Sequence, residues 1–269
     1  MNSREAPAAT GVLIFPEYRE LERLALFDRQ PAAQNTFTRL GVGGEFVGVR
    51  EYRPGDSPRH VHWRSTARAG QLIVKEFASE TEPGLTIALD LRASSVVGAD
   101  EDTSLELAIK IAATLARYAD EHGLPVTLAA NSRRWPAPPG PLSWWGLMNT
   151  LARAQADATA DESFADCLRG LRAASASFVA AVLPAPDIAA VAPLVELKHQ
   201  GLGVLAVVID PNPFLPDGRD PSHIADEMAG ALTAHEVEVR VIGNEPDWER
   251  TLCADDAAFS PQNSRRTLR

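Results

Sequence analysis

The chain has 269 residues, 45% of them hydrophobic and 23% charged, with a formal net charge of −10 and a mean hydropathy of −0.13. That composition builds a globular core and contains no run of about 20 apolar residues able to cross a bilayer. The acidic total disfavours generic binding to nucleic acid or anionic membranes. Cys167 and Cys253 stand far apart, without a CxxC pair or a neighbouring pair of histidines. They fit a reducing compartment and argue against a cysteine metal site. The opening MNSREAPAATG lacks the basic start and apolar run of a secretory signal, so the expected location is cytoplasmic.

In chain order, VLIF at 12–15 reads as a short strand. PEYRELERLALF follows as a helix, with Pro16 at its first position and Leu21, Leu24 and Ala25 on one apolar face. GVGGEFVGVREYRPGD reads as a glycine-rich approach, a strand and a Pro54-Gly55 turn. WRSTARAG is a short helix or irregular turn, and QLIVKEF a strand. From residue 85 the pattern changes: LTIALDL is a continuous apolar run ending in an acid, as in a central parallel strand. Thr103 and Glu106 have capping-box spacing before the helix LELAIKIAATLARYADEHG, which closes near Gly123. PVTLAAN, SFVAAVL, GVLAVVID and EVRVIG read as further strands. They are separated by helices in LSWWGLMNTLARAQ, ESFADCLRGLRAA, DIAAVAPLVELKHQ and HIADEMAGALTAHE. Trp144 and Trp145, about 100° apart around a helix, cannot both face inward.

Strands alternating with helical segments predict an α/β fold, an open and mostly parallel sheet with right-handed crossovers. The expected organisation is an N-terminal module over 1–81, an α/β domain over 82–245 and a C-terminal tail over 246–269.

Sequence signatures of catalysis are missing. There is no GxxxxGK[ST], GxGxxG, GxSxG or HExxH. His60 and His62 form a pair without a third nearby ligand, and the other histidines are isolated. No enzyme, cofactor or small-molecule substrate is expected.

The first α/β strand ends Asp90-Leu91-Arg92-Ala93-Ser94. An acid followed by hydroxyls two and four residues later could offer three oxygens to a hard cation, but the second slot is Arg92, which has no lone pair to give. Either Arg92 pairs with Asp90, its charge replacing that of a metal, or Arg92 is solvated and Asp90 caps the loop. Both readings exclude a good metal site.

The stretch GGEFVGVREYRPGDSPRHVHWRSTARAGQLIVKEFASE, followed by LTIALDLRAS, closely resembles the bacterial "domain of unknown function 58" family, associated with MoxR-type AAA+ ATPases. Glu45, Phe46, Arg50, Glu51, Tyr52, Gly55, Asp56, Arg59, Trp63, Arg64, Ala67, Arg68, Leu72, Glu76, Phe77 and Glu80 fall where that pattern expects them. The resemblance implies a Rossmann-like, von Willebrand factor A-type sheet in the order 3-2-1-4-5-6. It also implies a non-enzymatic adaptor working beside a MoxR-type AAA+ ATPase and cell-envelope membrane proteins. Members commonly carry transmembrane helices and a small β-domain upstream, and this chain starts after the point where those would end. The metal site of von Willebrand factor A domains resembles D-x-S-x-S with a Thr and a later Asp. Here Asp90 and Ser94 remain and Arg92 replaces the first Ser. No Thr follows Pro141-Leu142, and Asp187 falls a few residues after the expected place behind Leu183-Pro184-Ala185-Pro186. The adhesion-type metal site therefore reads as degenerate.

Residues 50 to 75 hold six cations (Arg50, Arg53, Arg59, Arg64, Arg68, Lys75) against Glu51 and Asp56, in an otherwise acidic chain. Three readings stand for this segment. As a phosphate or nucleic-acid patch, its Arg/Trp mixture would bind phosphates and stack bases, although interleaved acids oppose it. As structure, Arg50, Arg53, Arg64 and Arg68 would pair with Glu51, Asp56, Glu76 and Glu80 while Trp63 packs under guanidinium planes. As a partner surface, the arginines and Trp63 would anchor an interface. A second partner candidate is the loop PNPFLPDGRDPS, where Phe214 and Leu215 are either buried lids or exposed contacts.

Overall fold

The computed structural model describes residues 13–28, 38–40, 46–52, 61–80, 84–99, 102–135, 138–160, 162–171, 177–215 and 223–254. The chain divides into two units, one of residues 28–83 and one of residues 1–27 with 84–269. The second boundary falls between Pro83 and Gly84. The first is a correction: residues up to Phe27, expected to belong with the Arg/Trp module, group with the α/β unit.

In the larger unit the segment from residue 13 runs without regular structure until α1 (Ala25–Asp28). The expected strand and long helix are therefore replaced. Tertiary contacts outweigh helix propensity here: the Arg19 amide donates to Thr114 Oγ1 at 3.0 Å, and Tyr18 meets Trp144 edge-on at 5.2 Å. Leu21 and Leu24 are buried beneath the segment.

The smaller unit contains β1 (Thr38–Leu40), β2 (Phe46–Glu51), α2 (Trp63–Ala69) and β3 (Ile73–Glu80). They form a three-stranded antiparallel sheet in the order β1-β3-β2. His62 caps α2, its Nδ1 accepting from the Ser65 amide at 3.2 Å. Gly70 ends the helix in the left-handed conformation with φ 69°.

The larger unit continues with β4 (Leu85–Leu89), a small hairpin of β5 (Gly98–Ala99) and β6 (Asp102–Thr103), α3 (Ser104–Glu121) and β7 (Val126–Ala130). Then follow α4 (Trp144–Leu151), α5 (Phe164–Gly170), β8 (Phe178–Leu183) and α6 (Val191–His199). The last elements are β9 (Gly203–Ile209), α7 (Ile224–Ala234), β10 (Glu238–Ile242) and α8 (Glu249–Cys253). The main sheet runs β10-β9-β8-β4-β7, with every neighbouring pair parallel. This is the Rossmann-like α/β architecture expected of a von Willebrand factor A-type domain. Of the expected order 3-2-1-4-5-6, the third position is a single antiparallel bridge from Leu142 to Val126 at the β7 edge. Pro136, Pro138, Pro139 and Pro141 crowd that stretch and remove ladder donors.

Strand residues alternate between two cores, as a period of two requires. Leu85, Ile87, Leu89, Ala180, Val182, Leu205 and Val207 face α3, α4 and α8, while Ala88, Val179, Ala181, Leu183, Val204 and Ala206 face α5, α6 and α7. Trp248 and Leu252 of the C-terminal region are buried in the first core. The expected tail over 246–269 is thereby corrected for residues 246–254, because α8 supplies apolar side chains that the sheet face needs. Thr103 caps α3 by accepting from the Glu106 amide at 3.2 Å.

Candidate functional site

The carboxyl edge of the main sheet is where a doubly wound fold gathers ligands, at the point where crossovers leave in opposite directions. Here β4 leads by α3 to its neighbour β7, while β8 leads by α6 to β9 on the other side. The crevice therefore opens between the ends of β4 and β8. Asp90 stands directly after β4 and is fully buried.

Arg92 reaches back over this crevice. Its Nε lies 3.0 Å from Asp90 Oδ1, and its Nη2 donates to Asp90 Oδ2 at 2.7 Å and to Asp187 Oδ2 at 2.6 Å. Asp90 Oδ1 also accepts from the Arg92 amide at 3.1 Å and from Asn131 Nδ2 at 2.8 Å. Of the two sequence readings, the paired one is the structure adopted. Charge-assisted hydrogen bonds to Asp90 dominate and raise the Arg92 pKa, keeping the guanidinium cationic. A metal ion would have to displace this side chain from both carboxylates. Ser94, the remaining expected oxygen, is exposed in a 3-10 turn over Ala93–Ser95.

Three groups at this edge went unread or undervalued in the sequence. Asp187, a few residues after the expected place, arrives because the loop after β8 turns back; its Oδ1 accepts from the Ala189 amide at 3.0 Å. Asn131 follows β7 immediately and links strand ends, accepting from the Leu91 amide at 2.9 Å while donating to Asp90. Its place as the first polar residue after an apolar run was the available signal. Asp157 anchors the loop beside Arg92. Its Oδ2 accepts from Ser132 Oγ at 2.7 Å, and its Oδ1 from Thr159 Oγ1 at 2.8 Å. The Ser132 and Thr159 hydrogen bonds hold its carboxyl below the usual carboxylate range. Nothing in the local sequence announces this long-range contact. Among the described residues no cluster of three or more His, Cys, Asp or Glu could hold a metal ion.

A family model described as "Protein of unknown function DUF58" matches residues 48–232. The chain belongs to this family. A comparison with curated proteins finds no match. The family span begins within β2 and ends within α7, so it includes parts of both units. Among the described residues no helix is long and apolar enough to cross a membrane.

Within the family motif, Arg53, Asp56 and Arg59 lie outside the described residues. Arg50 lies in β2. Glu51 ends that strand and accepts from Gln71 Nε2 at 2.6 Å. Trp63 opens α2 and is 69% exposed, in a helix with no buried residue. Arg64 and Arg68, one turn apart on that helix, are also exposed. The expected packing of Trp63 under guanidinium planes is not formed among the described residues. The Ile73 amide donates to Thr66 Oγ1 at 3.0 Å and holds α2 against β3, and Trp63, at the first position of the helix, stays uncovered on its flank.

At the second partner candidate the structure adopts the buried alternative. Phe214 is buried in the first core and Leu215 is half-buried, so Phe214 is a lid on the sheet rather than a contact surface. Trp145 is 68% exposed while Trp144 packs against the core, as the azimuthal argument requires.

Proposed function

We propose that this chain is a non-enzymatic interaction module that docks a MoxR-type AAA+ ATPase, with cell-envelope membrane proteins as further members of the assembly. The observation that carries the reading is the exposure of Trp63 on α2, inside the family motif. A motif tryptophan with a purely structural role would be covered, since a buried indole contributes most of its stabilisation by leaving water. Trp and Arg are the side chains most enriched at interface hot spots, and α2 presents both. The Arg92 cation between Asp90 and Asp187 supports docking without a metal, because the sheet edge is already neutralised in part from within.

Capture of partners by the tagged chain from source-cell lysate, with and without a slowly hydrolysed ATP analogue, tests this reading. Recovery of one AAA+ ATPase supports it. Recovery of no ATPase in either condition contradicts it.

A second reading is favoured by Arg64 and Arg68, which have no ion pair among the described residues. It is phosphate or nucleic-acid binding through Arg50–Lys75. It requires salt-sensitive retention of an oligonucleotide that weakens when Arg59 and Arg64 are changed together.

A further inference from the structure

The docking reading leaves the chemistry of the partner open, and the smaller unit carries observations that narrow it. The way α2 sits fixes an outer face. His62 donates its amide to the Ile73 carbonyl at 2.7 Å, and Thr66 bonds the Ile73 backbone, so one side of the helix is held against β3. Residues four apart on a helix share a face. Arg64 therefore aligns with Arg68 on the side turned from β3, and Trp63 with Ala67 on the exposed flank beside it.

Beside this helix the sheet begins with another unusual exposure. Leu72 is 46% exposed, and the Tyr52 amide donates to its carbonyl at 2.9 Å, placing an exposed tyrosine next to it across the strands. Three apolar or aromatic side chains thus stand in water, with the exposed cations Arg64 and Arg68 on the adjoining helix. Glu51, the nearby acid, is engaged by Gln71. Residues 50–75 hold six cations and two anions in a chain whose total is −10.

We infer that this face docks an acidic protein segment carrying a bulky apolar anchor. The inference rests on the docking reading above. The anchor would cover Trp63, Tyr52 and Leu72, while flanking carboxylates meet Arg64 and Arg68. Arginine pairs with carboxylate in a two-point fork, and an apolar centre ringed by charge is the common layout of a protein interface. A single-stranded nucleic acid suits the face less well. Leu72, between Tyr52 and the helix, offers no ring for a base to stack on.

The test is photo-crosslinking from the full chain. A benzoylphenylalanine is placed at position 67, in place of the exposed Ala67, and the chain is irradiated in source-cell lysate. Linked peptides are then sequenced by mass spectrometry. The expected result is linkage to segments of another protein that are rich in Asp and Glu around a large apolar residue. Yield should fall about tenfold in Arg64→Glu/Arg68→Glu and in Trp63→Ala, and should fall with added salt. Linkage to neutral or basic protein segments, to nucleic acid, or to residues 84–254 of the chain itself would overturn the acidic-partner inference alone. Absence of any linkage to another molecule would overturn the docking reading on which it rests.

Discussion

Asp187 Oδ2 accepts a hydrogen bond from Arg92 Nη2 at 2.6 Å, joining the loops after β8 and β4 across 95 positions of sequence. The same nitrogen holds the buried Asp90 at 2.7 Å. One guanidinium thereby ties together the two strands that flank the crevice of the sheet, and the integrity of that edge depends on it.

Arg92→Ala is expected to destabilise the chain by about 3 kcal/mol. It leaves the Asp90 carboxylate buried without its cation, a loss of about 3–5 kcal/mol for a fully buried pair, and partial exposure of Arg92 keeps it at the low end. Urea unfolding of wild type and variant measures it. Asp187→Asn, which leaves the Asp90 pair intact, should lose no more than about 1 kcal/mol.

Divalent-cation binding gives an independent check on the same geometry. Millimolar Mg²⁺ should leave the unfolding midpoint of the wild-type chain unchanged, because the guanidinium already occupies the space between the carboxylates. Arg92→Ser should gain weak Mg²⁺ binding at most, since a serine hydroxyl restores one oxygen while Ser94 remains turned out to solvent. Tight binding by the unmodified chain, read by titration calorimetry, would contradict the pairing.

Cys167 sets a limit on alkaline stability. Burial above all, with the charges of Glu162 and Asp90, pushes its thiol up from an ordinary value of 9.0 to about 12. Below the ordinary value both folded and unfolded chains keep the proton. Above it the unfolded chain releases the proton first, so stability is lost as pH rises. The loss is about 1.4 kcal/mol per pH unit, from about 9 until the folded thiol itself titrates. Cys167→Ala should remove this component, leaving a shallower alkaline slope in unfolding midpoints. Identical slopes in the two proteins would contradict the burial of the thiol.

Much of the larger unit was legible because its strands are apolar runs and its helices carry caps at the spacing physics requires. Thr103 with Glu106, and Gly123 with φ 68°, are examples where local chemistry sufficed. The segment 13–24 was misread because the same residues that would line a helix face instead pack on α3 and α4. A sequence pattern cannot distinguish those two uses of Leu21 and Leu24. The site was legible where its members are neighbours, as Asp90 and Arg92 are, and illegible where the chain returns from afar, as at Asp187 and Asp157. Trp63 stood between two readings, packed under guanidinium planes or exposed as an interface anchor, and the sequence could not choose because its exposure depends on how Thr66 seats α2 on β3.

The comparison of Trp63→Ala with Phe214→Ala tests the central claim most directly, with urea stability and capture of an AAA+ ATPase measured on both. Trp63 is exposed and Phe214 buried. Trp63→Ala should leave stability within about 0.5 kcal/mol of wild type and abolish capture. Phe214→Ala should lose about 3 kcal/mol yet retain capture while folded. A Trp63→Ala protein that captures the ATPase as wild type does would contradict docking through α2.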